Sequence, residues 1–290
     1  MGTRPPAVAG RFYPAGRDSC VEEIEQCLRQ YELPDDLPET IVAAIVPHAG
    51  WTFSGPLAAL AFSAVKKRHE KVDTFVLLGV AHSYFGRTPA VYATGAWATP
   101  LGEIAVDQDL AGAILEASTA EADPDAHAYE HSIEVQLPFI QHLFGPVRIV
   151  PVAVPANDSA VRLGESLGAL IKASPKTIVC VGTTDLTHYG PGYGFTPMGV
   201  GRQALEWASR VNDKKFIDAA LALDADRMLA EAAEHCNACG PGAAAAAVAA
   251  AKALGRTAGV LLAHTTSADV MAATMGTTSS ESVGYAAIVF

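Results

Sequence analysis

Several polar residues in this chain stand directly behind apolar runs: His48 follows "AAIVP", His82 follows "FVLLGVA", Asp185 and His188 follow "TIVCVGTT", and His264 follows "GVLLA". One such histidine would ordinarily be a hydrogen-bonded structural residue. Several on one edge point elsewhere, because neutral imidazoles gathered at a cleft are the commonest metal-ligand set and a common acid/base set. In "VPHAGWTFSG" the histidine is followed by Ala-Gly, which leaves the backbone thin enough for close approach. Sulfur enters at "HCNACGPGAAAAA", where Cys239 precedes Gly-Pro-Gly and an alanine run. Amides at the start of that helix are expected to lower the pKa of Cys239 and favour thiolate. A thiolate beside two imidazoles is a ready ligand for iron, copper or zinc.

Cys236 completes a C-x-x-C with Cys239, but there is no second pair for a zinc site and no preceding strand for a thioredoxin-like one. Cys20, Cys27 and Cys180 read as packing residues. "AYEHSIEVQLPFIQHLFG" places Glu130, His131 and Glu134 at the head of an expected amphipathic helix whose apolar face includes Ile133, Leu137 and Ile140. Glu130 and Glu134 would share one side of it as ordinary partners of the helix dipole. His131 differs in kind: a ring at a helix start can point into a cleft as an acid/base group.

The elements that must position these residues follow from the apolar pattern. Buried strands are expected at 41–47 and 73–79, and in "VRIVPVAVP", "KTIVCVGTTD", "TAGVLLAHTT" and "SVGYAAIVF". Helices are expected in "DSCVEEIEQCLRQYEL", capped by Asp18 or Ser19, in "GPLAALAFSAVKKR", and in the alanine run that Gly255 would end. The opening "RPPAVAGRFYPAG" is expected to wrap the surface. Short apolar runs separated by helical patterns predict an α/β fold: a single domain over 1–290 with a mostly parallel central sheet and helices on both faces. Ligands of such sheets bind beyond the carboxyl ends of the strands, which is where the polar residues fall.

Composition sets outer bounds. With 290 residues and 50% hydrophobic content the chain can fill a sizeable core without disulfide staples. A formal net charge of −11 argues against nucleic acid or an anionic membrane as partner. Five unevenly spaced cysteines and the lack of a signal-like start fit a reducing cytoplasm. No apolar run approaches the roughly 20 residues needed to span a bilayer.

Taken together, "RPPAVAGRFYP", "VPHAGWTFSG", "GVAHSYFG", "TPLGEIAVD", "EHSIEVQLPF", "TTDLTHYG", "NACG" and the terminal "SVGYAAIVF" resemble the Memo family, whose bacterial and archaeal members are often called AmmeMemoRadiSam system protein B. The resemblance implies a fold like that of the class III extradiol dioxygenases, which hold Fe(II) with two histidines and a carboxylate. In Memo-type proteins a cysteine takes the third position. By position it implies His48, His82 and Cys239 as metal ligands, with Asp185, His188 and His131 in the same cleft as catalytic groups. Some members carry a second histidine directly after the position of His82; this chain has Ser83, so no role resting on that pair transfers. His264 matches no motif of the family and reads as structural, while Cys236 stands near enough in sequence to resolve an oxidised Cys239.

Three readings of function follow. The first is a metal-dependent oxidoreductase of unknown substrate with Fe(II), or copper or zinc, at His48, His82 and Cys239. His131 or His188 would move the substrate proton, with Asp185 orienting His188. The second is a peptide-binding adaptor using the same cleft, and the third a cysteine hydrolase with Cys239 as nucleophile. The ligand in the cleft is a small molecule or a peptide. The family's name also implies a functional link to a radical-SAM protein, whose cluster motif this chain lacks.

Overall fold

The structure, a computed structural model, describes residues 2–80, 82 and 86–290. Ser83, where the family resemblance breaks, lies outside the described residues. Strands of four residues or more are β1 (Ala43–Val46), β2 (Thr74–Gly79), β3 (Ala96–Thr99), β4 (Gly102–Ala105), β5 (Arg148–Ala153), β6 (Ile178–Thr183), β7 (Val260–Thr266) and β8 (Ser282–Val289). Helices of eight residues or more are α1 (Arg17–Leu28), α2 (Trp51–Arg68), α3 (Gln108–Ala117), α4 (Leu137–Phe144), α5 (Asp158–Ala173), α6 (Asp213–Leu221), α7 (Ala225–His235), α8 (Pro241–Ala253) and α9 (Ser267–Met275).

Four strands, β1, β6, β2 and β5, lie side by side and parallel, so their carboxyl ends share one rim. The sheet is mixed rather than uniformly parallel. β8 runs antiparallel to β1, setting Ile288 opposite Ile45, and β7 runs antiparallel on its other side. The first half of β8 projects past the end of β1, where His188 and Tyr189 pair with Val283 and Ser282. That overhang walls one side of the rim. The short strand Ala90–Val91 borders β5 antiparallel, and a small sheet of Thr3–Arg4, β3 and β4 stands apart.

Both faces of the sheet are buried, and the two-residue period of a strand divides its side chains between them. Ala43, Ile45, Val76, Leu78, Ile178 and Cys180 face a core closed by α3, α5, α6, α7 and α8. Ala44, Val46, Phe75, Leu77, Val179 and Val181 face a second core closed by α1, α2 and α4. Continuous apolar strands are the sequence mark of such double coverage. The alanine-rich α8 packs hard on the first face: a Cβ on Gly182 would meet the Ala243 carbonyl oxygen at 2.5 Å. Only small residues permit that approach, and the helix ends as expected at Gly255, with φ of +88°.

Two local expectations are corrected. α1 begins at Arg17 with Gly16 as its N-cap, so neither Asp18 nor Ser19 caps it; the Ser19 hydroxyl turns back to the Gly16 carbonyl. The opening segment is not merely a surface wrap, because Arg4, Val8 and Tyr13 are buried. Among the described residues no helix is long and apolar enough to cross a membrane.

Candidate metal centre

The chain leaves β1 at Val46, and His48, 2% exposed, lies just beyond the strand end. Next to it β6 ends at Thr183, and the Thr184 amide extends the ladder by donating to the Val46 carbonyl at 2.9 Å. Asp185 follows and ties three segments together. Its Oδ1 accepts the His48 amide at 2.8 Å, its own amide donates to Cys239 Sγ at 3.3 Å, and its carbonyl accepts the Cys239 amide at 3.1 Å. The result sets Cys239 Sγ 3.2 Å from His48 Nε2.

His82 arrives from the end of β2 and is held by Glu130. The carboxylate accepts the His82 amide at 3.2 Å, and both of its oxygens lie 3.1 Å from Nδ1. With Nδ1 engaged, Nε2 is the nitrogen left for the cleft, an arrangement typical of metal-bound histidines, whose other ring nitrogen meets a carboxylate. The His131 ring stacks on His82 at 4.9 Å between centroids and 8° between planes, and meets His48 edge-on at 5.6 Å. Phe12 covers another part of the His131 ring at 4.8 Å.

One ligand atom each from His48, His82 and Cys239 lies within 4.8 Å of the other two. Two bonds of about 2.0 and 2.3 Å to one ion span at most about 4.3 Å, so the 3.2 Å nitrogen–sulfur pair is well placed to share one. The residues fit a soft or borderline transition metal: two imidazoles and one thiol, on three separate strand or loop ends, with a carboxylate behind one of the rings. Asp185, His188 and Cys239 form a second close group, as do His82, Glu130 and His131.

Protonation follows burial and neighbours. Burial lowers His48 well below the usual imidazole range, with the neighbouring His131 and His82 adding to the shift. His131 and His188 are likewise lowered, first by burial. For His82 burial works in the same direction, but the hydrogen bond and negative charge of Glu130 outweigh it and raise the ring. Glu130 would be raised by burial; its bonds to His82 and the Ser132 amide instead bring it down to about 2. Asp185 is raised by burial, against the pull of the His48 amide.

The structure corrects several expectations about these residues. Glu130 and His131 precede the helix, since α4 begins at Leu137 after a turn of 3-10 helix at Glu134–Gln136. The two glutamates are therefore not dipole partners: Glu130 grips His82, and Glu134 is paired with Arg4 at 2.7 Å. Cys239 is not acidified by the helix behind it. Backbone donors do lower its pKa, but burial, reinforced by the charge of Asp185, dominates and raises the thiol. Asp185 bonds the His48 amide rather than the His188 ring, whose buried Nε2 has no hydrogen-bond partner among the described residues. His264 hydrogen-bonds the buried Asp213 at 2.9 Å. Cys236 is exposed, whereas Cys20, Cys27 and Cys180 are buried.

Sequence reasoning missed Arg4. Its guanidinium donates to the carbonyls of His127 and Glu130 and to Glu134, and lies 4.0 Å over the Trp97 ring. It thereby fixes the loop that presents Glu130 and His131. A basic residue beside two prolines carries no sequence signal for that task.

A family model described as Memo-like protein matches residues 4–289. A MEMO1 family protein of Methanopyrus kandleri is 38% identical, over 99% of this chain and 98% of its own. Another, from Thermococcus onnurineus, is 39% identical over 99% of both. Among solved structures, an uncharacterized Escherichia coli K12 protein is similar at a TM-score of 0.49 and 16% identity, covering 84% of this chain and 99% of that one, too slight a likeness to bear on the site.

Proposed function

Because this chain belongs to the Memo-like protein family, we propose that it is a metal-dependent oxidoreductase of the dioxygenase-like kind, with an ion held by His48, His82 and Cys239. One observation carries the reading: donor atoms of these three residues, from three separate segments, lie within 4.8 Å of one another, and His48 and His82 line a cleft of about 560 Å³. The proposed ion is Fe(II), with copper or zinc as alternatives that the same donors accept. Held by these three residues, non-haem iron would supply the redox and Lewis-acid chemistry for a chelating substrate and oxygen.

The protein's own residues then have distinct tasks. Glu130 holds the His82 ring so that Nε2 faces inward. Asp185 holds the His48 backbone and, through its amide, the Cys239 sulfur. His131 and His188, both favouring the neutral form, are the groups able to take a proton from a substrate hydroxyl. Of the two, the His131 side chain is 23% exposed, whereas His188 Nε2 is buried and free of any hydrogen bond among the described residues.

The 3.2 Å approach of Cys239 to His48 also supports a second reading, a cysteine nucleophile with an imidazole base. It is the weaker one, because burial pushes the thiol up and the imidazole down and so opposes a thiolate–imidazolium pair. Elemental analysis of protein purified without oxygen separates the two. The oxidoreductase reading expects about one ion per chain, lost in His48→Ala and Cys239→Ser. Metal-free protein whose Cys239 is acylated by an activated ester would overturn it.

A further inference from the structure

The cleft beyond the proposed ligands has a charge pattern of its own. Among the described residues that line it there is no lysine or arginine, while Asp185 and Glu281 contribute two carboxyl groups. Away from the proposed ion, a carboxylate or phosphate entering this space would find no fixed cationic side chain to replace its water, and such groups are ordinarily met by Arg or Lys.

Glu281 is built into the wall of the cleft. Its Oε1 accepts the Gly192 amide at 2.5 Å and its amide donates to Ser279 Oγ at 3.0 Å. The fit leaves no room for side chains opposite: a Cβ at Gly190 would lie 2.7 Å from Glu281 Cγ, and one at Gly192 would lie 2.5 Å from Oε1. No ion-pair partner of Glu281 occurs among the described residues. Beside it stands Tyr193, 47% exposed, whose ring meets His188 edge-on at 5.2 Å. Phe12, Phe53 and Met271 supply apolar lining to the same cleft.

A fixed, unpaired carboxylate next to an open aromatic ring attracts an organic cation through charge and through the face of the ring. Resting on the reading of the cleft as a substrate site, we infer that its ligand is an aromatic or similarly flat apolar molecule bearing a protonated amine, with the ammonium seated at Glu281 and Tyr193. The apolar body lies along Phe12, Phe53 and Met271, directed at the imidazole cluster.

Three probes of one shape test this: phenethylamine, 2-phenylethanol and 3-phenylpropionate, titrated calorimetrically at pH 7 into the full chain as purified, with its metal content measured in parallel. The amine should bind about tenfold tighter than the alcohol and tighter still than the acid. Glu281→Gln keeps an acceptor for the Gly192 amide, so it should remain folded, checked by its melting temperature, and lose the amine preference while binding the alcohol as before. Tyr193→Leu should reduce the same preference in part. Equal or tighter binding of the acid, no binding of any probe, or an amine preference that survives Glu281→Gln would each overturn the inference. Protein that holds its ion but shows no amine preference removes this inference alone; an amine preference in protein that never holds an ion removes the oxidoreductase reading alone.

Discussion

Cys239 Sγ and His48 Nε2 lie 3.2 Å apart although 191 positions separate them in the chain. The contact joins the turn before α8 to the end of β1, and Asp185 braces both sides of it through hydrogen bonds to the sulfur and to the His48 amide. Neither partner is activated by the other, because burial favours the neutral form of each.

Thiol chemistry should reflect that burial. Cys236 is exposed at the end of α7, whereas Cys239 is largely covered and its thiol is raised by burial. Reactivity follows thiolate fraction and access. Iodoacetamide at pH 7.5, followed by peptide mass spectrometry, should label Cys236 first and Cys239 at least about tenfold more slowly. Faster labelling of Cys239 would contradict the raised thiol.

Glu130 should matter for ion affinity more than for folding. Its carboxylate spans Nδ1 of His82 and the amides of His82, His131 and Ser132. Glu130→Gln keeps the shape but removes the charge behind the ring. Loss of such a partner costs about 10–100-fold in metal affinity. Competition with a chelator of known affinity measures it, and an unchanged affinity would mean that His82 is not a ligand.

The Arg4–Glu134 pair should be a major stability element. Both side chains are almost wholly buried, the ion pair is 2.7 Å, and Glu134 also accepts the amides of Ala7 and Val8 and the Tyr13 hydroxyl. Removing one member leaves the other charge buried without its partner, at about 3–5 kcal/mol. Arg4→Met should therefore lower denaturant stability by about that amount and, by releasing the 127–130 carbonyls, weaken ion binding as well.

His127 predicts an acid-side loss of stability. Its ring is fully buried, Nε2 meets the Ala90 carbonyl at 3.0 Å, and burial, with Arg4 nearby, lowers it to about 4. The unfolded chain, with an imidazole near the usual 6.5, binds the proton more readily between those values. Its contribution is thus complete above about pH 6.5 and is lost as pH falls toward 4, up to about 3 kcal/mol in all. Denaturant melts of the native chain and of His127→Gln, at pH 7, 5.5 and 4.5, should show a shallower decline in the variant.

Close packing of α8 predicts intolerance at Gly182. A side chain there must displace the Ala243 backbone, which helix geometry holds in place. Gly182→Val should cost more than the roughly 1–3 kcal/mol of ordinary overpacking, read from thermal melts.

The sequence by itself determined the α/β class and which polar residues stand at the ends of the buried strands. Apolar runs of strand length, bounded by Gly or Pro, announce strands buried on both faces, and a polar residue directly after such a run must emerge at the sheet's rim. His48, His82 and Asp185 were legible for that reason. The strand direction of β7 and β8 was not, since an apolar run reads the same in either direction and only the hydrogen-bonding partner decides it. Tertiary structure alone also decided the roles of the charged residues. Glu130 and Glu134 have the same spacing whether they ride a helix or diverge, and they diverge because Arg4, from the far end of the chain, holds one while His82 holds the other. The raised thiol of Cys239 is likewise a property of what surrounds it: local helix amides argue for thiolate, and the cost of burying charge, set by segments distant in sequence, outweighs them.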